Sequence, residues 1–196
     1  MSLLQGDRLL VPGTGLETLS SPLCLHLVRQ PARLRFGQLP GDAARTVRAM
    51  LVGPSGAGKT ALISRFCKGR FLRHHEATVG SEFTTAWASE ADELIQLQLW
   101  DCAQLSFLHF VQIVVGVFSL GSLESLHTVA RSLRKLHGMA FCLVGTHADQ
   151  QELSEDQVAQ EASKLGCHYH LVSCLTGEGV SEVFEEALEA YLHREP

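Results

Sequence analysis

No apolar run in the chain reaches the ~18 residues that a membrane-spanning helix requires. Positive charge is not in excess either. Lys and Arg total 16 against 21 Asp and Glu, for a formal net charge of −5. The basic residues form no long run, so the sequence gives no footprint of a nucleic-acid binder. No two of the six cysteines (Cys24, Cys67, Cys102, Cys142, Cys167, Cys174) form a C-x-x-C pair. Reduced, buried thiols in a cytoplasmic protein are therefore expected. The stretch Cys167-His168-Tyr169-His170 fits no standard zinc spacing, and His74-His75 reads as loop surface. A secretory signal is not indicated, because Asp7 and Arg8 precede a short apolar stretch that ends at Pro12.

What is present suits a folded domain. The 196 residues are 45% hydrophobic and 19% charged, enough for one domain with a full core. Residues 1–44 differ from the rest. Pro12, Pro22, Pro31 and Pro40 interrupt them, as do Gly13, Gly15, Gly37 and Gly41, and the leucines keep no sustained period. They read as a poorly ordered N-terminal extension, either native or a product of how the chain start is assigned. The folded domain is expected over residues 45–196.

From Arg45 onward, strand and helix patterns alternate. Thr46–Val52 is apolar and strand-like. Ser81–Trp87 and Leu94–Trp100 flank a polar turn near Ser89–Glu93, which predicts a hairpin. Val111–Phe118 is a continuous apolar run of the kind found in central parallel strands. Leu123, Leu126, Ala130, Leu133 and His137 keep helical spacing before Gly138. Met139–Val144 and Tyr169–Val172 read as further strands. Ser154-Glu155-Asp156-Gln157 is a capping box, opening a helix that stops at Gly166. Val180, Val183, Phe184, Ala187, Leu188 and Tyr191 mark the apolar face of a last helix. The pattern predicts an α/β phosphate-loop NTPase fold: a mostly parallel central sheet, one antiparallel edge strand, and helices on both faces. The ligand belongs at the carboxyl ends of the strands.

The most specific signal is Gly53-Pro54-Ser55-Gly56-Ala57-Gly58-Lys59-Thr60. It fits G-x-x-x-x-G-K-[ST], between a strand-like segment and the helix-compatible Ala61–Phe66. Backbone N–H groups at Gly53, Ser55, Gly56, Ala57, Gly58 and Ala61 would curl around phosphate oxygens, and the helix N-terminus adds partial positive charge. Lys59 supplies a point charge at the β- and γ-phosphates, and Thr60 a hydroxyl for Mg²⁺. A Gly-rich strand-to-helix turn without a ligand is the bland alternative. The loop by itself is shared by GTPases, ATPases and nucleoside kinases.

Four further segments narrow the choice. They are Glu76-Ala77-Thr78-Val79-Gly80-Ser81-Glu82-Phe83, Leu97-Gln98-Leu99-Trp100-Asp101-Cys102-Ala103, Leu143-Val144-Gly145-Thr146-His147-Ala148-Asp149, and Ser173-Cys174-Leu175-Thr176-Gly177-Glu178. With them, the chain from about Val47 to Leu192 resembles the Ras superfamily of small GTPases, and the Rab family most closely. The resemblance implies GTP/GDP and Mg²⁺ as ligands and a link to vesicle transport. It implies that Thr78 meets Mg²⁺ and the γ-phosphate, and that Asp101 holds Mg²⁺ through water. Thr60, Thr78 and Asp101 form the implied metal set. Asp149 would accept hydrogen bonds from the guanine N1–H and exocyclic amine, a donor pair that adenine lacks. Thr146 stands where the family has Asn. His147 stands in place of a Lys whose stem lies over the base. This T-H-x-D form also resembles the Roc GTPase domains. Backbone N–H groups near Ser173 and Cys174 would meet the guanine oxygen, with Leu175 in place of Lys. Trp100 matches an aromatic used in effector recognition, or packs in the core.

The chain also departs from the family. Gln104-Leu105-Ser106-Phe107 follows Ala103, where relatives carry Gly-Gln-Glu. Either Gln104 is the water-orienting Gln after a deletion, or it occupies the glycine's place with Leu105 at the Gln position. Residues 105–110 alone separate Gln104 from the apolar run at Val111, so the second switch reads as shortened. Lys59, Thr78 and Gln104 are the catalytic candidates, and slow GTP hydrolysis is expected. Effector, exchange-factor or activating proteins would engage through residues 71–110. The last cysteine is Cys174, so no prenylated tail and no stable membrane anchor are expected, and a monomer is. The alternative is a catalytically defective pseudo-GTPase or truncated isoform acting through protein contacts. An ATP-using kinase is a third reading. It would need an Arg-rich lid, for which only Arg131 and Arg134 stand ready.

Overall fold

The computed structural model describes residues 45–71, 81–90, 93–102, 108–136 and 139–193. Residues 1–44, with the expectation placed on them, lie outside this set. The described elements are β1 (Arg45–Val52), α1 (Lys59–Lys68), β2 (Ser81–Glu90), β3 (Glu93–Cys102), β4 (Ile113–Ser119), α2 (Leu123–Leu133), β5 (Ala140–Thr146), α3 (Glu155–Leu165), β6 (Tyr169–Leu171) and α4 (Val180–Leu192). Short 3₁₀ turns cover Leu108–Phe110 and Ala148–Gln150.

The strands lie side by side in the order β2-β3-β1-β4-β5-β6. β1 runs parallel to β3 and β4, β5 pairs parallel with β4 and β6, and only β2 is antiparallel. This is the mostly parallel sheet with one antiparallel edge that the sequence predicts. The period-2 pattern of β3 sets its faces. Ile95, Leu97 and Leu99 are buried on one face, beneath α1 and α4. There Phe66 of α1 meets Phe184 of α4 with ring centroids 4.3 Å apart. Each such ring contributes about 1.5–3 kcal/mol through burial. On the other face, Val114 and Phe118 of β4 pack with Leu126, Val129 and Leu133 of α2 and Val158 of α3. Glu161 of α3, itself buried, pairs with Arg134 at the end of α2 and so ties the two helices, and it pairs within its own helix with Lys164 at 3.0 Å.

Helix boundaries follow local chemistry. At α3 the Gln157 N–H donates to Ser154 Oγ (3.3 Å) and the Ser154 N–H to Gln157 Oε1 (2.9 Å). Gly166, at φ 67°, ends that helix in the left-handed conformation that favours glycine. α2 ends at Leu133, a turn before the apolar spacing through His137 predicts. Its end tightens into i→i+3 bonds, Lys135 N–H to Ser132 O and Leu136 N–H to Leu133 O. The β2–β3 ladder continues to Glu90↔Glu93, so the hairpin connection is shorter than the polar stretch Ser89–Glu93 suggests. β4 begins at Ile113 rather than Val111. Just before it, the Arg48 N–H donates to Gln112 Oε1 (2.8 Å), a side chain standing in for a ladder partner.

Candidate nucleotide-binding site

β1 ends at Val52, and the chain must then pass over β4 to start α1. Gly53 makes this passage: a Cβ there would fall 2.0 Å from the Val117 carbonyl oxygen. Gly58 enters the helix at φ 87°, and its own Cβ position faces Thr146 Oγ1 at 3.2 Å. No side chain caps α1, and no acidic residue lies in its first turn. The positive end of the helix dipole thus points toward the loop, where it favours an anion. Lys59 arches back over the loop, its Nζ donating to Gly53 O (2.9 Å) and Pro54 O (3.0 Å). Burial lowers its pKa below the ordinary lysine value, and the Asp101 carboxylate acts in the opposite direction.

Asp101 lies near the carboxyl end of β3 and is only 5% exposed. The Thr60 hydroxyl donates to its Oδ2, joining the first turn of α1 to the strand. A hydroxyl and a buried carboxylate form a set of hard oxygens, which fits a divalent cation such as Mg²⁺.

At the end of β5, Thr146 is 1% exposed and its Oγ1 lies 2.7 Å from Ala57 O and 3.0 Å from Phe118 O. Its hydroxyl is thus turned into the protein, against the phosphate loop. His147 Nδ1 lies 3.1 Å from the same oxygen. His147 sits at φ 58° and is the one non-glycine residue with positive φ among those described. This turn releases the chain into the 3₁₀ turn that carries Asp149, which is exposed.

The fourth segment is a tight loop. The Ser173 N–H donates to Glu178 O (3.0 Å) and the Gly177 N–H to Ser173 O (2.7 Å). Ser173 Oγ accepts from the Thr176 N–H at 3.2 Å. The Ser173 amide is therefore engaged within the loop. Cys174 is buried, and burial pushes its thiol up to about 11. Any contact from Cys174 to a ligand would thus come from its backbone, not from a thiolate. Leu175 is exposed.

The predicted residues on the described segments therefore gather at one end of the sheet: the 53–61 loop, Asp101, the 146–149 turn and the 173–175 loop. Thr78 and Gln104 lie outside the described residues. Trp100, next to Asp101 on β3, packs with the Met50 and Phe118 core cluster. Its ring stacks on Phe83 (centroids 4.8 Å apart) and meets the edge of Phe110 (5.2 Å). Phe83 is 51% exposed, and Trp100 Nε1 is shielded from solvent with no hydrogen-bond partner among the described residues. Among the described residues no three His, Cys, Asp or Glu side chains converge to hold a metal, at Cys167–His170 or elsewhere. Sequence reasoning missed Arg65, which bonds the last of these loops. A lone cation in a final helix turn carries no periodic signal.

A phosphate loop between the first strand and first helix of a mostly parallel sheet, with the other loops at the same end, defines the phosphate-loop GTPase fold. The sequence pattern of the Ras family matches residues 48–193. The chain belongs to that family. Rab proteins are among its relatives. The Ras-related protein Rab-34 of Homo sapiens is 33% identical over 156 residues, covering 70% of this chain and 60% of the relative. Ras-related protein Rab-21 of Geodia cydonium is 27% identical, covering 80% of this chain and 78% of the relative. Ras-related protein Rab5 of Nicotiana tabacum is 25% identical, covering 76% and 82%. The chain thus spans about 60% of the length of the Rab-34 relatives it matches. No helix among the described residues is long and apolar enough to cross a membrane.

Proposed function

We propose that this protein binds GTP and GDP as a Rab-like small GTPase. The observation that carries the reading is the convergence of Lys59, Thr60 and Asp101 beneath the glycine loop, with Asp149 at the same end of the sheet. The loop amides, the α1 N-terminus and Lys59 would hold the phosphates. Asp149 would accept from guanine N1–H and its amine, and would lose both bonds with adenine. Thr146 would act from behind, setting the phosphate loop against β5.

Thr60 and Asp101 would hold Mg²⁺, with Thr78 as the ligand from the first switch. A bound Mg²⁺ supplies positive charge against the phosphate oxygens. Hydrolysis would be in-line attack of water on the γ-phosphate, with Lys59 bearing on the oxygens of the transferred group. It would be slow, because the segment from Asp101 to Leu105 departs from the family's Gly-Gln pair. The relation to Rab proteins extends the reading to a cytoplasmic monomer linked to vesicle trafficking, with regulators and effectors meeting residues 71–110. The same departure supports a second reading, a pseudo-GTPase that binds partners without turnover.

Equilibrium binding of GTP, GDP and ATP tests the proposal, with Lys59→Ala as control. The expected outcome is GTP and GDP bound in preference to ATP, and a loss of about 100-fold or more in the variant, as charged phosphate contacts are removed. Binding that favours ATP would sink the guanine reading. Single-turnover hydrolysis as fast as in Rab proteins with an intact Gly-Gln pair would sink the slow-hydrolysis claim alone.

A further inference from the structure

The helix that starts at the phosphate loop ends against the 173–178 loop, and one side chain makes the connection. Arg65 lies in the last turn of α1. Its Nη1 donates to Gly69 O at 3.1 Å and its Nη2 to Thr176 O. The backbone of Gly177 lies directly against the same guanidinium. A Cβ built at Gly177 would fall 2.8 Å from both Nε and Nη2. Among the described residues no carboxylate forms an ion pair with Arg65. Its described hydrogen bonds go to backbone carbonyls at two places far apart in sequence.

We infer that Arg65 is a positioning residue for base recognition, fixing the 173–178 loop relative to the phosphate-binding helix. This rests on the guanine-nucleotide reading above. The planar fork matters, because one guanidinium spans Gly69 O and Thr176 O while its Nε–Nη2 edge faces Gly177. A lysine ammonium is a point charge and cannot do all three. The loop's internal bonds shape it but do not tie it to α1: Ser173, Thr176, Gly177 and Glu178 bond one another. Arg65 adds that external tie. Phosphate and base would then be held by the two ends of one rigid helix, Lys59 near its start and Arg65 near its end. Releasing the tie would loosen the amides that meet the guanine O6 and leave the phosphate contacts in place.

The test follows the release of three diphosphates from the full chain and from Arg65→Ala. GDP and inosine diphosphate carry O6, while 2-aminopurine riboside diphosphate lacks it. The expected result is release of the first two about tenfold faster in the variant, with the third released at the unmodified rate. Arg65→Lys shifts GDP release in the same direction by a smaller factor, and carries the test if Arg65→Ala does not fold. An equal acceleration of all three would mean a general loosening and overturns the inference, as does no change for GDP. Failure of the unmodified protein to bind any of the three overturns the guanine reading and this inference with it.

Discussion

The Thr146 hydroxyl lies 2.7 Å from the Ala57 carbonyl oxygen, a bond between the last residue of β5 and the middle of the phosphate loop. The Phe118 carbonyl, 3.0 Å away, competes for the same single proton. The loop's position over the sheet is thus set in part from a strand far along the chain. Thr146→Val keeps the branched shape and removes the donor, leaving buried carbonyls without it. The expected cost is about 1–3 kcal/mol, read as a lower urea midpoint with an unchanged slope. Thr146→Ser restores most of it. Equal midpoints for Val and the unmodified protein would show that the bond contributes nothing.

The loop glycines are not equivalent. Gly53 faces backbone, with the Val117 carbonyl oxygen 2.0 Å from where a Cβ would sit. Nothing lies within 4 Å of the Cβ position at Gly56, whose φ is 77°. Gly56→Ala therefore meets only conformational strain, about 1–2 kcal/mol. Gly53→Ala must displace β1 from β4, and should lower the melting temperature by a clearly larger amount. Thermal melts of the two variants, without added nucleotide, compare them. Similar melting temperatures would contradict this account of the loop.

His170 gives the stability a pH dependence. Burial lowers its pKa below the ordinary 6.5, with Glu186 pulling upward, His168 pushing downward and Glu182 pulling upward. Its Nε2 faces Glu186 Oε2 at 3.5 Å. The unfolded chain therefore binds the proton more readily than the folded one. The stability contribution is fully present above pH 6.5 and is lost as pH falls toward the lowered folded value. Denaturation midpoints at about pH 7.5 and about pH 5.5 should differ less in His170→Asn than in the unmodified protein. An identical difference in both would rule His170 out as a contributor.

Much of this arrangement was legible before any coordinates. The glycine loop was, because few sequences place Gly, Lys and Thr at that spacing between strand and helix. The sheet was, because an apolar run such as Val111–Phe118 suits a strand covered on both faces. Asp101, Asp149 and Ser173 were placed by pattern alone. The boundaries were less legible. The start of β4 is decided by tertiary hydrogen bonds between Gln112 and Arg48 that leave no local trace. Arg65 was invisible for the same reason, since its acceptor Thr176 lies 111 residues away. Thr146 stands where the family pattern has Asn, and only its burial and its bond to Ala57 O tie its hydroxyl to the loop.

Arg45, the first residue of β1, places its guanidinium 5.4 Å from the centre of the Tyr191 ring near the end of α4. Strand β1 runs from that contact to the phosphate loop, roughly 23 Å at the usual rise per residue. Arg45 and Tyr191 therefore mark the pole opposite the proposed nucleotide site. A fluorophore or affinity handle carried at residue 193 would sit near the Tyr191 contact, away from the site.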